Sequence, residues 1–268
     1  MDIAKLFEYR YWKAFLEWEI WVFLLTGFQT TLIIAFFAII LSLIFGTLLA
    51  MARLSRFRVI RLPASLYIET IRALPVLLII FFMFFGGAKG FTILGVRLSW
   101  EDPIVAAILA LTIYTSAINA EIVRAGIVSI DKGQFEASRA LGLGYVQMMQ
   151  LVVLPQALRR MVPPQVSQLI TLIKDTSLTY VIGTTELLQK AKILYSGFET
   201  GPIQALFVAT SMYFVINFSL SLLSRRIELQ STEDSVRTRI AAEAGTVASA
   251  RHGLVASADV PPHDRMGA

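Results

Sequence analysis

Residues Asp131–Pro155 read DKGQFEASRALGLGYVQMMQLVVLP, a polar-flanked interruption between long apolar segments. Asp131 can cap a helix, with Gln134 reaching back from three residues on and Ile130 stapling against Phe135. That helix is expected to run to about Leu141, where Gly142 offers the left-handed residue that closes it. Gly144 can cap a second helix to about Leu154, and Pro155 is expected to end it. Two short helices meeting at a glycine elbow form a stiff knuckle, which can pass a push between two bodies. A bare linker cannot.

The surroundings of this knuckle are membrane-like. Over 268 residues, 56% are hydrophobic and only 16% are charged, with a mean hydropathy of +0.67, which removes the chain from ordinary soluble domains. The net charge of +5 is carried by arginines beside apolar runs, a pattern of membrane orientation rather than of nucleic-acid binding. There is no cysteine, and the two histidines, His252 and His263, both lie near the C-terminus. A disulfide framework, a cysteine metal site and a histidine-based centre within the membrane body are therefore excluded. Residues Met1–Glu19 mix acids and bases with Tyr11, Trp12, Phe15 and Trp18. This predicts an amphipathic helix at the membrane surface rather than a cleavable signal peptide.

Five spans follow from the apolar runs. The first is charge-free from Ile20 to Ala52 and is followed by Arg53, Arg56, Arg58 and Arg61. The second is expected from about Leu66 to Phe85, the third from Pro103 to about Ala120, the fourth over roughly Val162–Gly183 and the fifth over Thr200–Ser224. Arginine-rich loops alternate with poorer ones, which predicts an outer N-terminus, a cytoplasmic C-terminus and a cytoplasmic knuckle. Residues 20–226 are thus expected to form one transmembrane domain. The Ala-, Ser- and Gly-rich stretch 227–268 reads as a disordered cytoplasmic tail.

Charges inside spans are costly, about 2.5–3.5 kcal/mol each at mid-helix, so they face a pathway or a partner. Lys174-Asp175-Thr176-Ser177 interrupts the fourth span, and either a translocation pathway or an interhelical clamp accounts for it. Glu69 and Arg72 stand at i, i+3 and can pair on one helix face. Arg72 is placed either to meet a carboxylate with its planar fork or to snorkel to headgroups. Pro75 permits a kink. Asn119 faces either the pathway or a neighbouring helix, and Glu121 and Arg124 can brace the helix end. No phosphate-binding Gly-x4-Gly-Lys-Ser/Thr loop occurs, nor a nucleophile elbow, a zinc helix or a dinucleotide glycine pattern, so no ATP hydrolysis, cofactor or metal is expected of this chain.

The knuckle closely resembles the EAA loop of permease subunits of bacterial ATP-binding cassette (ABC) importers. That pattern is Glu-Ala-Ala, three residues, Gly, nine residues, Ile, one residue, Leu-Pro. Here it reads Glu136-Ala137-Ser138, Gly142, Val152 and Leu154-Pro155 with every spacing kept. The resemblance extends over about Leu24–Arg226. It includes Gly27 to Leu32 at the first span, Tyr67-x-Glu69-x-x-Arg72-x-x-Pro75, Glu121 to Ile127, and Lys174 to Leu178. These stretches are similar to the permeases of polar amino-acid importers, a group that includes the histidine and glutamate/aspartate systems, and look most like the glutamate/aspartate branch.

The resemblance implies an all-α integral membrane protein of the type I importer fold, with five transmembrane helices and a cytoplasmic helix-turn-helix coupling loop. Gln134, Glu136, Ala137, Ser138, Gly142, Leu154 and Pro155 would then meet a separate ATPase chain. Arg72, Asn119, Lys174, Asp175, Thr176 and Ser177 would line the pathway. Alternating access in the inner membrane would further require ATP-binding subunits, a second permease subunit (identical or related) and a periplasmic solute-binding protein that delivers the amino acid. An ATP-independent channel or pore is the alternative, and a membrane enzyme lacks a catalytic constellation.

Overall fold

The computed structural model describes residues 8–93, 96–197 and 200–226. Contacts gather the chain as far as Ser224 into one unit, and the second unit begins at Arg225. The tail expected over 227–268 lies outside the described residues. So do residues 1–7 of the expected surface helix, and the rest of that helix is broken. Tyr9–Trp12 (α1) is one short turn and Lys13–Leu16 a 3-10 turn. Glu17 is then extended, with no side-chain cap, before α2 begins at Trp18.

The long helix α2 spans Trp18–Arg53, 36 residues, or about 54 Å at 1.5 Å per residue. That exceeds the roughly 30 Å of hydrocarbon and carries Arg53 well beyond the apolar layer. Its buried face is built of small residues, among them Gly27, Thr31, Ala38, Ser42, Gly46 and Ala50. Ser42 and Gly46 meet the alanine-rich helix α5, Pro103–Val128, whereas Gly27 and Thr31 meet Glu186, Leu187 and Lys190. Between apolar helices in lipid, small residues are what allow backbones to come close enough for dispersion contacts. A Cβ placed on Gly46 would lie 2.7 Å from the Asn119 Cβ and 2.9 Å from the Ser116 carbonyl oxygen. The α2–α5 seam is the axis of the fold.

The expected second span, Leu66–Phe85, is not one helix. Arg58–Ala73 (α3) and Val76–Lys89 (α4) meet at Leu74–Pro75 with a bend of 106°. Leu74 is extended, as the residue before a proline prefers, and Pro75 serves as the N-cap residue of α4. Beyond α4, Phe91–Ile93 (β1) and Val96–Leu98 (β2) form a small antiparallel hairpin before Asp102 caps α5 through the Ile104 N–H.

After the knuckle, Leu154–Asp175 (α8) tightens into a 3-10 stretch over Thr176–Ile182. Leu187–Gly197 (α9) precedes the last helix, Pro202–Arg226 (α10). By length and composition α2, α5 and α10 qualify as spans among the described residues, and α3 with α4 form a bent pair, either one broken span or a re-entrant hairpin. At 22 residues, α8 is long enough for the fifth, but its Arg159, Arg160, Gln165 and Gln168 hide it from hydropathy. Ile34, Ile80, Leu111 and Leu172 fill the centre between α2, α4, α5 and α8. Leu24, Leu187 and Ala205 close α9 and α10 onto the start of α2.

Candidate functional site

The knuckle opens with Asp131, whose carboxylate accepts from the Gly133 N–H at 2.7 Å. Helix α6 runs Lys132–Ala140. Gln134 does not complete the expected reciprocal cap. Its amide oxygen instead accepts from Gln156 Nε2 at 3.2 Å, tying α6 to α8. Gly142 closes α6 at φ +77°, with its N–H on Arg139 O and that of Leu143 on Ser138 O, the paired bonds of a Schellman motif. Tyr145–Met148 (α7) then passes through a π turn, Met149–Val153, straight into α8. The stop expected at Pro155 is absent. The proline sits in the first turn of α8, where its missing N–H and fixed φ fit a helix.

One side of the knuckle is anchored and the other is bare. Ile130, Met148, Val153, Ala157 and Met161 are buried with Ala50, Ile68 and Val123, and Phe135 packs against this cluster. Ser138 is buried and donates to Gln134 O. Glu136, Ala137 and Pro155 are exposed, and Leu154 is half-buried. Leu141, Tyr145, Val146 and Leu151 stand 80%, 71%, 62% and 69% exposed. The knuckle is thus anchored on one side and presents apolar side chains on the other.

Just above it lies an ionic cluster. Arg53 reaches Glu121 on α5 at 2.6 Å and Glu69 on α3 at 3.1 Å, and Arg124 closes on Glu121 at 2.9 Å. The Glu121–Arg124 brace therefore forms, whereas Glu69 pairs across helices rather than with Arg72. Arg72 is exposed and lines a cavity of about 540 Å³ with Glu121, Ser129, Arg160 and Pro164.

The remaining pathway candidates separate. Lys174 is exposed, Asp175 and Ser177 half-buried and Thr176 fully buried, all where α8 tightens from α to 3-10 winding. Asn119 lies elsewhere, fully buried in the α2–α5 seam, where its Nδ2 donates to Ser42 Oγ at 3.0 Å. The amide nitrogen thus bonds a neighbouring helix, while Oδ1 has no partner among the described residues. Glu186, a residue the sequence did not single out, is completely buried. Its carboxylate caps α9 through the N–H groups of Leu188 and Gln189. Thr184-Thr185-Glu186 before an apolar run carried a helix-start signal, but nothing local reported the burial.

These features together define a membrane-embedded helical subunit with an exposed apolar knuckle. Residues 42–230 match the family described as "Binding-protein-dependent transport system inner membrane component", and the chain belongs to that family. It is 47% identical over 212 residues to a probable glutamine ABC transporter permease of Bacillus subtilis, covering 78% of this chain and 94% of the relative. It is 36% identical over 233 residues to a glutamate transport system permease of Corynebacterium glutamicum, covering 87% and 84%. Among solved structures, that of an amino acid ABC transporter with histidines aligns at a TM-score of 0.71 and 28% identity, covering 86% of this chain and 99% of that one.

Proposed function

We propose that this chain is a permease subunit of an ABC importer that carries polar amino acids, with acidic amino acids and their amides as first candidates, into the cytoplasm. The knuckle is the observation that carries the reading: its core side is locked to α2, α3 and α5, while Leu141, Tyr145, Val146 and Leu151 face outward unpartnered among the described residues. In this reading Glu136, Ala137, Gly142 and the neighbouring Leu154 and Pro155 present that face to a separate ATPase chain, with Gln134 and Ser138 stiffening it from behind. The names of the relatives, glutamine and glutamate permeases, support the substrate class.

Asp175, with Lys174, Thr176 and Ser177, borders the pathway, its carboxylate available to an ammonium group. Arg72 supplies a cation on the cytoplasmic side. The knuckle faces the cytoplasm, the start of α2 lies on the outer side, and a second permease and a solute-binding protein complete the assembly. Arginines at 53, 56, 58, 61, 225 and 226 support this orientation. Affinity purification of the chain from its native membrane tests the proposal. An ATPase chain should co-purify, and proteoliposomes holding that complex with its binding protein should take up labelled glutamine or glutamate only when ATP is supplied. Uptake without ATP, or a chain that purifies with no ATPase, overturns it.

A further inference from the structure

Pro155 has no N–H to donate, and the chain widens just before it. The Leu154 N–H bonds Met149 O, five residues back rather than four, and such π turns within helices are enriched at functional positions. One side chain reaches over the widened turn. Gln156 is half-buried, and its Nε2 donates to Val152 O at 2.9 Å and to Gln134 Oε1 on α6 at 3.2 Å. The Val152 carbonyl only accepts, so it fixes which end of the Gln156 amide points at the turn. With that bond made, the second N–H is already aimed at α6, and little further ordering is needed to bond it.

One turn further along α8, Arg160 continues the same face. Its Nη1 donates to the carbonyl and the hydroxyl of Ser129, the residue that caps the end of α5. A cation there also suits the negative end of that helix. Gln156 and Arg160 thus hold both ends of the entry into α6, Gln134 and Ser129, from one face of α8. Ser138, a turn further along α6, donates to Gln134 O, so the clasped residue is itself tied into its helix. From this clasp α8 runs as one helix to Asp175, joining the knuckle to the candidate pathway residues.

We infer that Gln156 is a positioning residue for energy coupling: its amide braces the π turn against α6, so that the knuckle and α8 move as one lever. The inference rests on the reading of the knuckle as the surface that docks an ATPase. Its test uses the whole transporter in proteoliposomes, with its ATPase chains and saturating loaded binding protein. The chain has no cysteine of its own, so Lys132→Cys on α6 and Leu158→Cys on α8, both exposed, place a pair of spin labels on the two limbs. One readout is the distance distribution between the labels. The other is labelled glutamine or glutamate moved per ATP hydrolysed.

Gln156→Met keeps the length of the side chain and removes both donated bonds. It should broaden the distance distribution and lower uptake per ATP about three- to tenfold, with the ATPase co-purifying at wild-type amounts. Gln134→Met removes the α6 bond alone and should lower the ratio to no greater extent. Adding it to Gln156→Met should cost less than about another twofold, since residues that share one bond are not additive. Should the methionine variant fail to assemble, Gln156→Glu, which turns a carboxylate oxygen onto the Val152 carbonyl, carries the same expectation. An unchanged ratio in the Gln156 variants makes the amide a local helix contact, and the inference falls alone while ATP-driven uptake by the wild type stands. A lowered ratio with an unchanged distance distribution, losses that add in the double variant, or loss of the ATPase from Gln156→Met would each overturn it as well. If the wild-type chain brings down no ATPase, the docking reading falls and takes the inference with it.

Discussion

Nη1 of Arg53 lies 2.6 Å from Oε1 of Glu121, 68 residues later in the chain. The side chains are 21% and 19% exposed, so the pair is screened less than a surface ion pair. With Glu69 and Arg124 it ties α2, α3 and α5 to one another at the end of α2 that lies near the knuckle.

Glu121→Ala strips Arg53 and Arg124 of a shared carboxylate, and Arg53→Ala strips one partner from Glu121. A double-mutant cycle on the detergent-solubilised permease should return a coupling of about 1–3 kcal/mol. Thermal melting of the four proteins is the measurement. Additive losses would reduce the cluster to surface decoration.

Gly46→Ala inserts a methyl where the Asn119 Cβ is 2.7 Å away. Helix α2 must shift off α5, an overpacking cost of about 1–3 kcal/mol. A fall of several degrees in melting temperature should follow, with Gly86→Ala as a control, since nothing lies within 4 Å of a Cβ at that position.

Gly142 sits at φ +77° with open space around it, so a side chain there clashes with no neighbour and strains only the backbone, by roughly 1–2 kcal/mol for alanine. Gly142→Asp should insert and assemble normally yet uncouple ATP hydrolysis from uptake, because a charge now stands on the docking face. Unimpaired uptake in cells would remove the knuckle from the coupling path.

Asp175→Ala should impair uptake at least about tenfold while co-purification of the ATPase is retained. Uptake kinetics equal to wild type would return Asp175 to a packing role.

The apolar runs gave away the spans wherever lipid or small-residue packing was the only demand. The first was expected at 20–52 and found at Trp18–Arg53. Reading failed where tertiary contacts decide. The polar Arg58, Arg61, Glu69 and Arg72 make α3 a two-faced helix that need not cross the membrane, and a proline read as a kink proved to be a corner. Pro155 was taken as a stop because its position in a turn of helix depends on the π turn before it. Gly142 was legible because closing α6 at a positive φ is a local demand. Glu186 was not, because its burial is supplied by Thr31, 156 residues from the α9 N–H it binds, and by Tyr213.

The corner at Leu74–Pro75 leaves α4 only 14 residues, a rise of about 21 Å. A bilayer presents roughly 30 Å of hydrocarbon. Protein must cover the shortfall, or the lipid must dimple to meet it, at fractions of a kcal/mol per ångström. Acyl-chain length in the host membrane therefore becomes a dial on this protein: thicker bilayers press on the bend, and thinner ones relieve it.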